Sequence, residues 1–150
     1  MSQSINLYKQ LANHKLFNKS VNFGLKRIKL ALALLGHPEK KLKNVISVVG
    51  ESGKFTTLFS LKSFIEASNQ NVTTHISPSL RDIRERFYMG EKYLNHKEIK
   101  KTIKQIEKLN IPLTIFECLT LVYIINASKI NVDYNIPVSY THLTLPTTVF

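Results

Sequence analysis

Apolar residues recur at spacings of three and four along Leu25, Ile28, Leu32 and Leu35, which puts them on one face of a helix and predicts that this face is buried. Gly36 and Pro38 then stop the helix. The run from Asn44 to Val49 is short, β-branched and closed by Gly50, the pattern of a buried strand. A helix from about Thr56 to Ala67 and a second strand from Val72 to Ile76 complete a βαβ unit with a parallel sheet. Further on, Asn95 and Glu98 have capping-box spacing ahead of a stripe of Ile99, Ile103, Ile106 and Leu109, with a solvated, Lys-rich opposite face. Thr114 and Glu117 repeat the capping spacing after the turn at Pro112, so a helix is expected from Ile115 to about Ala127, and a last strand from Ile130 to Ile136. The fold class is α/β, a parallel sheet flanked by helices, with no internal repeat and no low-complexity linker.

Length and composition narrow this picture. A chain of 150 residues accommodates one ordinary domain, and 43% hydrophobic with 21% charged residues excludes wholesale disorder. No apolar run approaches the roughly 20 residues of a membrane-spanning helix, and the first ten residues lack the apolar core of a signal peptide. Cys118 is the only cysteine, so it forms no internal disulfide and reads as a small buried hydrophobe in a reducing compartment. These features lead to the expectation of a cytoplasmic monomer without a membrane partner. The net charge of +11 favours anionic partners. It is mostly Lys, however, and comes with abundant Asn and Ile, a bias that AT-rich coding produces without selection for binding. No basic stripe is interleaved with aromatic residues, which speaks against nucleic acid. A small basic nucleic-acid-binding module remains an alternative, and its affinity would fall steeply with salt.

The segment Gly50-Glu51-Ser52-Gly53-Lys54-Phe55-Thr56-Thr57 lies between an expected strand and an expected helix. In that position glycines let the backbone approach a phosphate, N–H groups and the helix dipole face the anion, and a Lys ammonium reaches the terminal phosphates. A hydroxyl at the helix start then suits Mg²⁺. The G-x-x-G-K spacing is shorter than G-x-x-x-x-G-K-[ST], so an ordinary glycine turn is the competing explanation. A capping box explains Glu117 without any metal, and the five histidines have neither zinc-ligand spacing nor a Ser-His-Asp arrangement.

Taken together, Leu35-Gly36-His37-Pro38 and the Gly50–Thr57 segment resemble the L-G-x-P stretch and G-T-N-G-K-G-S-T phosphate loop of the folylpolyglutamate and dihydrofolate synthases, relatives of the Mur ligases. Gly24-Leu25-Lys26-Arg27-Ile28 is similar to that family's G-L-x-R-I helix start. Ile76-Ser77-Pro78-Ser79-Leu80 with Glu85-Arg86-Phe87 resembles its T-S-P-H-L…E-R-I segment, and Thr114 to Thr120 its T-x-F-E-x-x-T helix. The resemblance implies an incomplete Mur-ligase-like central domain that uses ATP and Mg²⁺ to join glutamate to a folate or dihydropteroate carboxylate through an acyl phosphate. It implies that Lys54 is the catalytic cation, that Gly50, Ser52, Gly53, Lys54, Thr56, Thr57 and Ser77 hold the nucleotide, and that Thr56 and Glu117 hold the metal. Three positions depart from the family pattern: Glu51 stands for Thr, Phe55 for Gly and Ser79 for His. A relative that kept the fold and lost the chemistry is therefore a second reading.

The resemblance assigns residues 1–136 to the N-terminal part of the ATP-binding domain, a truncated and inactive fragment. From about Pro137 the sequence P-V-S-Y-T-H-L-T-L-P-T-T-V-F resembles a peptide encoded by sequencing-adapter DNA. Residues 137–150 are accordingly expected to be a non-native tail that packs poorly, with no catalytic role for His142 beside Ser139 and Tyr140.

Overall fold

The computed structural model describes residues 24–138 together with Lys9 and Asn13. Helix α1 spans Lys26–Leu34, and Ile28, Ala31 and Leu32 are its buried residues. A 3-10 turn, Pro38–Lys41, leads to helix α2, Lys54–Ala67, and strand β1, Val72–His75. A second 3-10 turn, Ile83–Arg86, and strand β2, Phe87–Met89, precede helix α3, His96–Glu107, helix α4, Ile115–Ala127, and strand β3, Tyr134–Pro137. Both anticipated capping boxes are formed, at Asn95/Glu98 and Thr114/Glu117.

The architecture is α/β with a mixed central sheet, strand order β2-β1-β3. The expected parallel pairing is present between β1 and β3, while β2 adds to β1 as an antiparallel edge. The expected strand over Asn44–Val49 is reduced to two parallel bridges to β3, Val45 with Asn135 and Val48 with Val138. Its hydrogen bonds, Ile46 N to Asn135 O at 2.9 Å and Val48 N to Pro137 O at 3.1 Å, run to one neighbour only. The left-handed backbone of Asn44, with φ of 45°, breaks the ladder at its start. β3 thus lies between this edge segment and β1, so the two ends of the βαβ unit are not adjacent.

Alternation along the strands sends residues to two different cores. Val72, Ile76, Ile136 and Val138 pack with Leu58 and Ile65 of α2. Thr73 and His75 point the other way, to Tyr123 of α4. Residues 117–125 of α4 are all buried, so the helix is a central element covered by α1 and α3 rather than an amphipathic surface helix. Cys118 is buried within it, as expected of a small hydrophobe.

The expectation of poor packing from Pro137 onward fails for the first two residues. Pro137 pairs with His75 in the parallel ladder, and Val138 is 2% exposed with its N–H bonded to His75 O at 2.7 Å. Proline lacks a donor, yet its carbonyl is the group the ladder uses here, accepting from Val48. Ser139, Tyr140, His142 and the remainder of the tail lie outside the described residues. Among the described residues no helix is long and apolar enough to cross a membrane.

Candidate functional site

The edge segment runs out of the sheet into Gly50, and the chain then turns through Gly53 into α2. Gly50 and Gly53 have φ of 141° and 76°, values that exclude most side chains. Space is not the reason, since no heavy atom lies within 4 Å of where a Cβ on Gly53 would sit. Gly53 is the N-cap of α2 and supplies no capping side chain, so the helix begins without the internal acceptor found at α3 and α4. Glu51, Ser52, Thr56 and Thr57 are exposed around it.

Lys54 is the first residue of α2, and its ammonium turns back to donate to the carbonyls of Gly50 and of Glu51, the latter at 2.9 Å. Phe55, bulky where the phosphate-loop pattern has glycine, packs half-buried against the core between α2 and the sheet. The substitution therefore fills core space instead of the turn. Because the edge segment and β1 both run parallel to β3, Gly50 and Ser77 follow the carboxyl ends of their strands on the same side of the sheet, where ligands of open α/β sheets gather. Ser77 is buried, and its hydroxyl accepts from Arg86 Nη1 at 2.6 Å.

Glu117 lies at the third position of α4. Its Oε2 accepts from Thr114 N at 2.7 Å, while its own N–H donates to Thr114 Oγ1 at 3.1 Å. Arg27 adds Nη2 to Oε1 at 3.1 Å and Nε to Oε2 at 3.2 Å. Sequence reasoning quoted Arg27 and Arg86 within their motifs without assigning either a role. The signal for both was the presence of Arg at positions where most of the chain's positive charge is Lys, since Arg binds carboxylates and hydroxyls through a fixed planar fork.

It also overlooked the polar cluster behind α4. His75 is stacked between Phe87 and Tyr123, with ring centroids 5.5 Å and 5.2 Å away. Burial pushes its imidazole down to about 4, the neighbouring Arg86 charge adds to this, and the bond to the Arg86 carbonyl at 3.0 Å opposes it. Thr73 Oγ1 lies 2.8 Å from Tyr123 Oη and donates to Asn135 Oδ1 at 2.7 Å, and Asn135 donates to Lys43 O at 2.8 Å. Among the described residues no group of three or more His, Cys, Asp or Glu side chains is arranged to hold a metal ion. Protein groups alone would hold a cation weakly here, since magnesium beside nucleotides ordinarily takes part of its oxygen shell from bound phosphate.

No family model matches the chain. It is 33% identical over 108 residues to the dihydrofolate synthase/folylpolyglutamate synthase of Escherichia coli (strain K12), which covers 71% of this chain and 25% of that protein. The Bacillus subtilis (strain 168) protein of the same description is 31% identical over 84 residues, covering 56% of this chain and 19% of that one. Among solved structures, E. coli FolC in complex with DHPP and ADP superposes with a TM-score of 0.80 at 29% identity, over 89% of this chain and 32% of that chain. The bifunctional folylpolyglutamate synthase/dihydrofolate synthase of Yersinia pestis complexed with AMPPNP and Mn ion gives 0.79 at 26%, over 89% and 32%. The chain spans about a quarter or less of the curated relatives and about a third of the solved ones.

Proposed function

Since the chain belongs to the folylpolyglutamate synthase/dihydrofolate synthase family of the Mur ligase superfamily, we propose that it carries the nucleotide-binding part of an ATP-dependent ligase that joins glutamate to a folate or dihydropteroate carboxylate. The observation that carries this reading is the strand-to-helix turn at Gly50–Lys54, in which a left-handed glycine opens an uncapped helix and a Lys ammonium sits over the turn. Relatives solved with ADP, or with AMPPNP and Mn ion, support it.

In this reading the helix start and the N–H groups following Gly53 receive the phosphates, and Lys54 exchanges the loop carbonyls for β/γ-phosphate oxygens. Gly50, Ser52 and Thr57 shape the turn, and Ser77, held by Arg86, borders the nucleotide from the next strand end. Thr56 and Glu117 are the hard-oxygen donors that suit Mg²⁺, a hydroxyl and a carboxylate. Bound there, the metal supplies charge neutralisation on the phosphates. An acyl-substrate carboxylate oxygen attacks the γ-phosphorus and releases ADP. The glutamate amine then attacks the acyl carbon and expels phosphate, leaving an amide. Lys54 offsets the charge that develops on the phosphates in the first step.

Mg-ATP titrated into the chain by calorimetry is expected to bind weakly, and Lys54→Ala to weaken it at least about tenfold. Equal binding by the variant would count against the loop. The 150-residue chain spans about a third of its solved relatives, so glutamate incorporation by this chain alone is expected to be absent. Measurable amide formation would overturn that part of the proposal.

A further inference from the structure

If Glu117 holds a divalent cation, its carboxylate already carries a cation of another kind. Arg27 binds it side-on through two bonds, Nη2 to Oε1 at 3.1 Å and Nε to Oε2 at 3.2 Å. A carboxylate has about four lone-pair directions. Arg27 uses two, the Thr114 N–H uses a third on Oε2 at 2.7 Å, and the remaining one belongs to Oε1. The Glu117 side chain is 1% exposed and that of Arg27 is 20% exposed, so the guanidinium is the member of the pair that faces water. A metal ion that takes Glu117 must compete with a positive charge already bound to the carboxylate.

We propose that Arg27 is a gate on the metal position: its guanidinium stands in for the divalent ion at Glu117 and swings away when the ion binds. This rests on the metal reading of Glu117 given above. Two features make the exchange feasible. The capping bond of α4 uses Oε2, so Oε1 passes from guanidinium to metal without undoing the helix start. Arg27 is the second residue of α1 and already partly solvated, so the displaced guanidinium has water to receive it. With Arg27 in place the buried carboxylate stays compensated and oriented in the absence of metal, which an unpaired buried charge would not be. Arg27 is thus a positioning residue, acting through Glu117.

The test is Mn²⁺ alone, titrated into the chain and followed by loss of the free-ion paramagnetic resonance signal. Arg27→Met is expected to bind Mn²⁺ at least about tenfold more tightly than the parent, and Arg27→Met with Glu117→Gln to return to the parent's weak binding or below. Arg27→Lys, which keeps the charge without the planar fork, is expected to fall between parent and Arg27→Met, and it carries the comparison if circular dichroism shows the Met variant unfolded. A residue that only braced α1 against α4 would leave Mn²⁺ affinity unmoved. If parent and Arg27 variants bind Mn²⁺ equally and all lose it with Glu117→Gln, the metal assignment stands and the gate is wrong. If no binding depends on Glu117 in any variant, the metal assignment itself falls, and the gate with it.

Discussion

Helices α2 and α4 pack on opposite faces of the same sheet and begin in opposite ways. Both present the positive end of a backbone dipole at their first turn. At α4 the chain fills that end itself: Thr114 caps it, the buried Glu117 carboxylate returns to the Thr114 N–H, and the partly exposed Arg27 compensates its charge. At α2 the N-cap is Gly53, which has nothing to offer, and the residues around it are exposed. One helix start is closed by its own carboxylate and the other has no side-chain cap, which is the end the proposed function gives to phosphate. The contrast continues behind α4, where Tyr123, Thr73, Asn135 and the Lys43 carbonyl form a chain of internal hydrogen bonds. The polar side chains at the start of α4 are bonded within the fold, whereas Glu51, Ser52, Thr56 and Thr57 at the start of α2 are exposed.

The largest effect expected from this contrast is on stability, from Glu117→Ala. Removing one member of a buried pair strands the other, at about 3–5 kcal/mol, and the partial exposure of Arg27 places this pair at the lower end of that range. Loss of the capping interaction adds about 1 kcal/mol, for a total near 4. Urea denaturation would measure it as a lower midpoint at unchanged slope, and a loss below about 1 kcal/mol would mean the α4 start is as open as that of α2.

Acidification comes next. The folded His75 titrates at about 4 and the unfolded side chain near 6.5, so between these values the unfolded chain takes up a proton that the folded one refuses. The stability contributed by neutral His75 is complete above about pH 6.5 and declines as the pH falls toward 4, by up to about 3 kcal/mol. His75→Phe keeps an aromatic ring between Phe87 and Tyr123 and is expected to flatten this dependence in urea midpoints compared at pH 7 and pH 4.5. An identical slope in both proteins would assign it to other groups. Lys54→Ala then supplies the reverse case, a loss of at least about 1.4 kcal/mol in Mg-ATP affinity, the tenfold weakening above, with a stability change below about 1 kcal/mol.

Much of this contrast is legible in the sequence, and the gaps have physical causes. The capping spacing at Asn95/Glu98 and Thr114/Glu117 announces its geometry because it depends only on neighbours three residues apart. The glycine turn at Gly50–Lys54 is local in the same sense. The Arg27–Glu117 pair joins residues 90 positions apart, and no local pattern encodes which lysine or arginine will find a given carboxylate. In the sequence His75 is one strand residue among others, since only tertiary burial, here between Phe87 and Tyr123, gives a histidine its altered titration. The edge strand is shorter than its sequence suggests for a related reason: β-branched Val45-Ile46 and Val48-Val49 favour extension, but ladder continuity depends on partners, and this segment pairs on one side only. The antiparallel strand β2 was missed because Phe87–Met89 is three residues long, too short for alternation to declare itself.

The smallest effect is expected at α3, whose start separates capping from burial. Asn95 and Glu98 form the same box as Thr114 and Glu117, with Asn95 N donating to Glu98 Oε2 at 2.7 Å and Glu98 N donating to Asn95 Oδ1 at 2.9 Å. Here the box is exposed, and Glu98 pairs with Lys92 at 4.0 Å, the lysine side chain 74% exposed, a pair of little energetic weight. Asn95→Ala should therefore remove a cap and nothing else, at about 1 kcal/mol, with Mg-ATP affinity unchanged. Measured beside Glu117→Ala in the same urea series, it isolates what the guanidinium and the burial add at α4. A difference of roughly 3 kcal/mol between the two variants is the expected result. Equal losses would mean that the Arg27 contact contributes no stability, and the closed character given to the α4 start would reduce to its capping box alone.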